Sequence, residues 1–414
     1  MLIEIDKSII EYINSVKDTK DYKNLIDVIQ ELAIAYKRNN HIIIASSKVL
    51  EYLKDLNDLN EDSRQIYNYL YNDAFEEYKE LKKMFIFYIK LVFDKQYIFK
   101  EEKEGNQTIF NISIGFIKTF KEFRESVLIT EDLDDGKLYI SMTKEYIKEY
   151  IGKDKGISIE FDDISGGGAN THKSYKNFLE KNRLTLCVLD SDKTCKKDEK
   201  GSTAKKVEKV RDEYEDKVTY VCILDVREKE NLIPPSFYKL CSNGINSELI
   251  DKLIKLEDTC YGSINFLRYG DIKDGITLKK YIETKSRKKC IFKCYSDLIC
   301  DNIKRDFPNI DELEECEKNY ETKEVVLGVG GNASQYFKKQ VLDKEIVQVL
   351  NQKKRVYEIN ANEGLEKDIK DLERNINISE NLFKHLPNYI KDDWIEICNT
   401  ILAWGCKKKG IAIG

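Results

Sequence analysis

An apolar run over residues 184–189 ends directly in two aspartates, Asp190 and Asp192, that are separated by one residue. Two buried carboxylates this close repel each other unless a cation offsets their charge. Mg²⁺ and Mn²⁺ take oxygen ligands of this kind, and Mg²⁺ commonly binds substrate phosphates as well. The pair predicts a divalent-metal site for phosphate-ester chemistry, although an ordinary loop after a strand explains the pair equally well when it is taken alone.

Two more apolar runs also end in acids. Residues 126–130 lead into Glu131, and residues 218–224 lead into a segment that contains Glu228 and Glu230. If these acids were only solvent-exposed surface charges, three separate strands would not be expected to carry carboxylates to the same edge of a sheet. We therefore predict that Glu131 and the aspartate pair form a metal site together with Glu228 or Glu230.

A lysine follows the aspartate pair directly. Lys193 is placed to meet a phosphate, and further basic residues occur between Lys196 and Arg211. These residues could form part of a rim that contacts a nucleic-acid backbone. Acidic residues are interspersed among them, so an ordinary charged helix surface accounts for most of these lysines.

The elements that must position these residues alternate between short strands and helices from about residue 125 to residue 235. The pattern predicts strands at 126–130, 156–161, 184–189 and 218–224, with helices between them. Such a unit is an α/β domain with a mostly parallel sheet, and its chemistry gathers at the carboxyl ends of the strands. We expect Glu131 and Asp190 to follow neighbouring strands. We also expect one of Glu228 and Glu230 to point into the same cleft and the other to point outward.

The flanking regions have mainly helical patterns. Helices are predicted over most of residues 1–93, loops are predicted at 57–62 and 100–106, and a strand is predicted at 325–329 within a helical C-terminal region. The expected domains are therefore a helical domain at 1–122, an α/β domain at 123–240 and a helical domain at 241–414.

Composition limits the classes of function without choosing among them. The 414-residue chain is 35% charged with a net charge of −5, so any nucleic-acid footprint must be a local patch. Its 11 cysteines fall largely within apolar runs, the start has no export-signal pattern, and no apolar run approaches a membrane span. We expect a soluble cytoplasmic protein with reduced thiols and no membrane contact.

Over about residues 125–235 the chain has a strand followed by Glu, then a glycine turn, then a strand followed by Asp-x-Asp, and finally a strand followed by a further acid. This order of features resembles the TOPRIM (topoisomerase–primase) catalytic domain. The late acid followed by Asn231-Leu232 is similar to the TOPRIM nucleases of the OLD type and related phage-defence proteins. The resemblance implies metal-dependent hydrolysis of phosphodiester bonds in DNA or RNA.

The resemblance also implies roles for individual residues. Glu131 would be an acid/base group or a metal ligand, and Asp190 and Asp192 would hold Mg²⁺ or Mn²⁺ together with a later glutamate. Glu230 is the preferred later glutamate, and Glu228 is its rival. No Walker A motif is present, so any ATPase would be a separate partner subunit, and a homo-oligomer is the other expected assembly.

The sequence departs from the family pattern after the first glutamate. Asp132 stands where the family has glycine, while Asp134 and Asp135 are candidate counterparts of a later family aspartate. The run Gly166–Gly168 lies where the family has a turn, and it predicts either a close approach of backbone to phosphate or a plain flexible turn.

Three other interpretations fit parts of the pattern. Residues 190–194 match the DxDxT motif of haloacid-dehalogenase-like phosphatases, in which Asp190 would be a nucleophile and Asp192 a general acid/base. A hydrophobic segment followed by DxD also occurs in nucleotide-sugar glycosyltransferases, but the helical first hundred residues do not supply the expected sheet. A catalytically inactive TOPRIM module that only binds a partner is the non-enzymatic alternative.

Overall fold

The computed structural model describes residues 1–17, 19–73, 75–96, 98–117, 123–152, 156–241, 247–257, 261–287, 295–296, 298–299, 301–310, 313 and 318–408. The chain forms two compact units. Unit 1 comprises Met1–Leu189, Lys205–Cys222 and Glu396–Gly414, and unit 2 comprises Asp190–Ala204 and Ile223–Ile395. Unit 2 is therefore built from two segments of chain that leave unit 1 and return to it.

Helices account for most of the regular structure in both units. In chain order they are α1 Ser8–Val16, α2 Lys20–Lys37, α3 Ser47–Lys54, α4 Glu61–Asp73, α5 Phe75–Met84, α6 Leu133–Tyr146, α7 Thr171–Glu180, α8 Ser202–Glu213, α9 Lys229–Leu232, α10 Pro235–Tyr238, α11 Ser247–Glu257, α12 Tyr261–Tyr269, α13 Leu278–Arg287, α14 Asp301–Asp306, α15 Ala333–Phe337, α16 Glu345–Ile359, α17 Glu363–Glu380, α18 Leu382–His385 and α19 Asn388–Gly405.

The strands are short. In chain order they are β1 Leu2–Ile5, β2 Ile42–Ala45, β3 Phe87–Val92, β4 Phe99–Glu104, β5 Gln107–Ser113, β6 Val127–Thr130, β7 Ile157–Ile159, β8 Asp162–Ser165, β9 Thr185–Leu189, β10 Thr219–Ile223, β11 Gly275–Thr277, β12 Glu324–Leu327 and β13 Cys406–Lys408.

The first sheet of unit 1 has five strands in the order β2-β1-β3-β5-β4. The pairs β1–β2, β1–β3 and β3–β5 are parallel, and β4 closes one edge antiparallel to β5. Every residue of β1 and β2 is buried, and all of them are apolar except Glu4, whose carboxylate pairs with Lys82 at 3.1 Å. The edge strand β4 is largely exposed and highly charged, as expected for a strand that protects a sheet edge.

The second sheet of unit 1 has four strands in the order β10-β9-β6-β8. Strand β6 pairs in parallel with both β8 and β9. Strands β6 and β9 are fully buried, while helices α6 and α7 follow β6 and β8 in the chain and contact the sheet. The predicted α/β class with a mostly parallel central sheet is therefore confirmed.

Three predictions about local structure are wrong. The segment predicted to be helical up to residue 93 ends in strand β3, and the loop predicted at 100–106 is mostly strand β4. The strand predicted at 156–161 is present only as β7, which pairs antiparallel with β13; the central sheet uses β8 instead. The prediction of a helical N-terminal region thus missed a complete sheet, because its strands are only four to seven residues long.

Unit 2 is mainly helical and contains the two-stranded sheet β11-β12, so the strand predicted near residue 325 is confirmed. Its core includes Trp394, whose ring lies 5.8 Å from Phe237, 6.3 Å from Phe337 and 5.6 Å from Phe383. The indole Nε1–H donates a 2.7 Å hydrogen bond to the carbonyl oxygen of Leu232. In the part of the chain that the structure describes, no helix is long and apolar enough to cross a membrane.

Candidate functional site

Two of the predicted site residues directly follow neighbouring strands of the central sheet. Glu131 comes immediately after β6 and Asp190 immediately after β9, and these strands run in parallel with Leu128 paired to Leu186 and Ile129 to Cys187. The carboxyl ends of parallel strands meet at one edge of a sheet. The prediction that Glu131 and Asp190 follow neighbouring strands is therefore confirmed.

The charge of Glu131 acts on the neighbouring strand β9 within unit 1. Burial raises the pKa of the Cys187 thiol well above its ordinary value, and the negative charge of Glu131 adds to that rise. Both effects disfavour the ionised thiolate.

The glycine run after β8 holds the end of β6. The Gly166 N–H donates to the carbonyl of Thr130 at 2.7 Å, and the N–H groups of Gly167 and Gly168 both donate to the carbonyl of Glu131 at 3.2 Å. Gly167 and Gly168 have positive φ angles of 77° and 58°. These donors are used within the protein, so the run acts as a fixed turn that anchors the backbone of Glu131.

The acids after Glu131 stabilise the start of helix α6. Asp132 is the N-cap residue and accepts a hydrogen bond from the Asp134 N–H, while the Asp135 carboxylate accepts one from the Asp132 N–H at 3.0 Å. This reciprocal arrangement is a capping box. The side chain of Asp134 pairs with Lys137 at 3.0 Å. All three aspartates thus have structural roles in the first turn of the helix.

In unit 2, the Asp-x-Asp loop is attached to the segment that precedes Glu228. The Ser191 hydroxyl is buried and donates to the carbonyl of Val226 at 2.5 Å, and the Asp192 N–H donates to the carbonyl of Arg227 at 2.9 Å. The Gly201 N–H donates to the carbonyl of Ser191 at 2.8 Å. These bonds fix the pair of aspartates beside the chain that carries the later glutamates.

The loop conformation is unusual at its second aspartate. Asp192 has a positive φ of 54°, and its side chain lies so close to Gly201 that a Cβ atom there would be 2.1 Å from Oδ2. Only glycine fits at position 201 while Asp192 keeps this orientation. Asp192 is exposed, whereas Asp190 is partly buried.

Glu228 and Glu230 form an acidic pair within unit 2. Glu230 is 1% exposed and accepts a 2.9 Å hydrogen bond at Oε1 from the Ser334 hydroxyl; its Oε2 is buried with no hydrogen-bond partner among the described residues. Burial raises the pKa of Glu228 to about 7, and the charge of Glu230 contributes to this rise. The side chain of Glu228 is 15% exposed. Neither side chain is largely exposed to solvent, and the expectation that one of them points into the cleft and the other outward stays a prediction.

Basic residues surround this acidic pair. Lys273 Nζ lies 3.8 Å from Glu228 Oε2, and Arg227 Nε lies 3.9 Å from Glu228 Oε1. Arg227 also pairs with the buried Asp271 at 2.8 Å. Sequence reasoning missed Asp271 and Lys273, because they lie in a loop of the helical region and follow no strand that would mark their position.

Lys193 belongs to a second charged group in unit 2. Its Nζ lies 3.8 Å from Asp225 Oδ1, and Arg268 donates to Asp225 at 3.0 Å and to both carboxylate oxygens of Asp393 at 2.7 and 2.8 Å. Tyr269 donates to Asp225 at 3.3 Å. Lys193 is thus held near the Asp-x-Asp loop by a carboxylate that Arg268 and Tyr269 orient.

The donor chemistry of these residues suits a hard divalent cation. Carboxylate oxygens are the usual ligands of Mg²⁺ and Mn²⁺, and the buried Glu230 Oε2 and the desolvated Glu228 would both gain from a cation. Among the described residues, however, no group of three or more His, Cys, Asp or Glu side chains is close enough together to hold an ion. The residues fit the metal in type, but they do not form a complete coordination shell.

Comparison with known proteins identifies no relative: no family model, curated protein or solved structure matches the chain.

Six cysteines lie within the described part of the chain, and all six are free thiols: Cys187, Cys195, Cys222, Cys241, Cys398 and Cys406.

Proposed function

We propose that this chain is a divalent-metal-dependent nuclease of the TOPRIM type that hydrolyses phosphodiester bonds in DNA or RNA. The observation that supports this most strongly is that Glu131 and Asp190 directly follow two adjacent parallel strands. A second supporting observation is the attachment of the Asp-x-Asp loop to residues 226–227, immediately before the acidic pair.

In this proposal the metal ligands are Glu131, Asp190, Asp192 and Glu230, with Glu228 as the alternative to Glu230. When bound, Mg²⁺ or Mn²⁺ would supply Lewis acidity and lower the pKa of water. Lys193 would contact a substrate phosphate, since its ammonium group is kept near the loop by Asp225.

Burial raises the pKa of Glu228 to about 7, and the charge of Glu230 adds to this rise. A divalent cation beside the two glutamates would favour the ionised carboxylate and lower this pKa, so the desolvated Glu228 is suited to the role of alternative ligand.

The resemblance to phage-defence TOPRIM proteins also suggests a biological role. We propose that the protein is an antiviral effector that acts in the cytoplasm, either as a homo-oligomer or with a separate partner subunit. The free thiols of the described cysteines are compatible with a reducing compartment.

The decisive experiment is a nuclease assay with the purified full-length protein. Single-stranded DNA, duplex DNA, single-stranded RNA and tRNA are incubated with Mg²⁺, Mn²⁺ or EDTA. We expect metal-dependent cleavage that falls about a hundredfold or more in Asp190→Asn and Asp192→Asn, because each change removes a charged metal ligand. Asp212→Asn is the matched control, since this carboxylate is 68% exposed on helix α8.

The same variants separate the alternatives. Cleavage that survives in both aspartate variants, or that persists in EDTA, would overturn the assignment. A covalent phosphate trapped on Asp190 would identify a phosphatase instead. Metal-dependent binding of nucleic acid without any turnover would indicate a catalytically inactive module.

A further inference from the structure

Helix α7 of unit 1 begins beside the backbone of Glu131. The helix follows strand β8, so it starts at the carboxyl edge of the central sheet, and it contacts both β6 and β9. The turn that precedes it is bonded to the chain after β6, because the Gly168 N–H donates to the carbonyl of Glu131 at 3.2 Å. The first turns of α7 therefore have a fixed position next to the candidate catalytic edge.

The outer side of α7 carries two lysines. The inner side packs on the sheet through Thr171, Tyr175 and Leu179, which are fully buried at intervals of four residues. Lys173 and Lys176 are exposed on the other side. Residues three apart on a helix are neighbours, with Cβ atoms roughly 5–6 Å apart. These two lysines, which we call the basic face of α7, can thus act together on one stretch of a polyanion.

The positive charge of the basic face is not neutralised within the protein. In the part of the chain that the structure describes, neither of its lysines forms an ion pair with a carboxylate, whereas Lys137 on helix α6 pairs with Asp134 at 3.0 Å. The acid of α7 is also used elsewhere, since the Glu180 carboxylate accepts a 3.0 Å hydrogen bond from the Tyr214 hydroxyl. The basic face is therefore available to an external anion.

The stability of the helix does not account for these lysines. Cations stabilise the last turn of a helix, but Lys173 lies in the first turn of α7 and the last turn has no basic residue. Lys176 precedes Glu180 by four residues, which is the weaker orientation for a charged pair on a helix. A role in binding explains their positions better than a role in folding.

A polyanion needs a local patch of this kind on a chain with a net charge of −5. Lysines contact the phosphates of nucleic acid without reading its bases, and each contact releases bound counterions. The basic face has the charge, the exposure and the location for such contacts. An acidic edge that binds metal would by itself repel the substrate, so cations beside that edge would offset the repulsion.

We infer that the basic face of α7 binds phosphate groups of the nucleic acid that flank the bond to be cleaved, an inference that rests on the proposed nuclease function. From Gly168 to Lys173 the helical backbone advances roughly 8–10 Å, at about 1.5–2.0 Å per residue. The lysines thus contact phosphates beyond the reacting one. They bind and position the substrate strand, and they are not catalytic residues.

Fluorescence anisotropy with labelled single-stranded and duplex oligonucleotides tests this contact in the full-length protein. EDTA is present, so binding is measured without metal-dependent cleavage. We expect Lys173→Gln/Lys176→Gln to bind about tenfold more weakly at low salt, because two phosphate contacts are lost. The slope of log K against log salt concentration should become less steep by about 1.5, since each contact contributes roughly 0.7–0.9.

Lys20→Gln/Lys23→Gln is the matched control. These lysines are also exposed and three residues apart, they lie on helix α2 of the same unit, and neither forms an ion pair among the described residues. The control removes the same charge from another place, and we expect it to bind like the unmodified protein. Thermal unfolding monitored by circular dichroism verifies that both double variants are folded.

Cleavage kinetics in Mg²⁺ separate substrate binding from catalysis. Contacts that are equally strong in the ground state and the transition state affect KM and leave kcat unchanged. We therefore expect Lys173→Gln/Lys176→Gln to raise KM about tenfold with little change in kcat. A fall in kcat at unchanged KM would contradict a role limited to flanking phosphates.

The binding results decide the inference even if no cleavage is found. It is overturned if the unmodified protein binds no nucleic acid, or if Lys173→Gln/Lys176→Gln keeps the affinity and salt slope of the unmodified protein. An equal loss in Lys20→Gln/Lys23→Gln would also overturn it, because net charge alone would then explain the effect. The expected differences in binding, found without cleavage in Mg²⁺ or Mn²⁺, would support the basic face as a nucleic-acid site and reject the proposed nuclease.

Discussion

At the scale of single residues, the most informative group is the carboxyl of Glu228. Burial beside Glu230 raises its pKa from 4.5 to about 7, so the folded protein favours the protonated form more than the unfolded chain does. Folding stability is therefore highest below pH 4.5 for this group and falls as the pH rises to about 7. Above that pH the destabilising effect is constant.

We predict that Glu228→Gln removes this pH-dependent destabilisation. In EDTA at pH 8 the variant should be more stable than the unmodified protein by about 3 kcal/mol, the free energy of a shift of two to three pKa units. At pH 4.5 the difference should become small. Denaturant unfolding at several pH values measures this, with Asp212→Asn as the control for loss of one carboxylate. A stability difference that does not change with pH would contradict the assignment.

At the scale of elements, the turn between β8 and α7 fixes the end of β6. An added Cβ on Gly166 would be 2.7 Å from the carbonyl oxygen of Thr130 and 2.4 Å from Thr171 Oγ1. Backbone and a buried side chain would both have to move, and the hydrogen bonds to Thr130 and Glu131 would be strained. The turn thus links the position of Glu131 to the packing of helix α7.

We predict that Gly166→Ala destabilises the protein by about 1–3 kcal/mol, the usual cost of forcing extra atoms into a packed site. Gly331→Ala is the matched control, because no atom lies within 4 Å of its added Cβ and its φ is not positive. Equilibrium unfolding in denaturant compares the two variants. Equal effects on the free energy of unfolding would show that the turn is not tightly packed.

At the scale of the whole molecule, helix α19 contributes to the cores of both units. Trp394 packs among phenylalanines of unit 2, while Trp404 is fully buried in unit 1, with its ring 5.8 Å from Phe110. The final strand β13 pairs with β7, and its Cys406 carbonyl accepts a 2.7 Å hydrogen bond from the Met1 amino group. The C-terminal segment is therefore part of the core of unit 1.

We predict that the two tryptophans stabilise different units. Each change to alanine should cost about 3–5 kcal/mol, the range for large aromatic side chains in a core. Hydrogen exchange measured by mass spectrometry should become faster in β3 and β5 for Trp404→Ala, and in α9 and α15 for Trp394→Ala. The two variants serve as controls for each other. Identical exchange profiles would mean that the units unfold as one.

The sequence alone determined the features that depend on local pattern. The apolar runs that become β6, β9 and β10 are continuous enough to identify as strands, and the acids that follow β6 and β9 were placed at one sheet edge from the rules of parallel sheets. A four-residue run such as Val127–Thr130 is recognisable because buried parallel strands are apolar on both faces.

Only the tertiary structure decided the features that depend on distant partners. The charged strand β4 resembles a loop in composition, and it becomes a strand because β5 pairs with it. Lys273 and Asp271 approach Glu228 and Arg227 from a region with no strand pattern, and this contact buries Glu228. Short strands and buried charges take their character from residues far away in the chain, so no local pattern of residues encodes them.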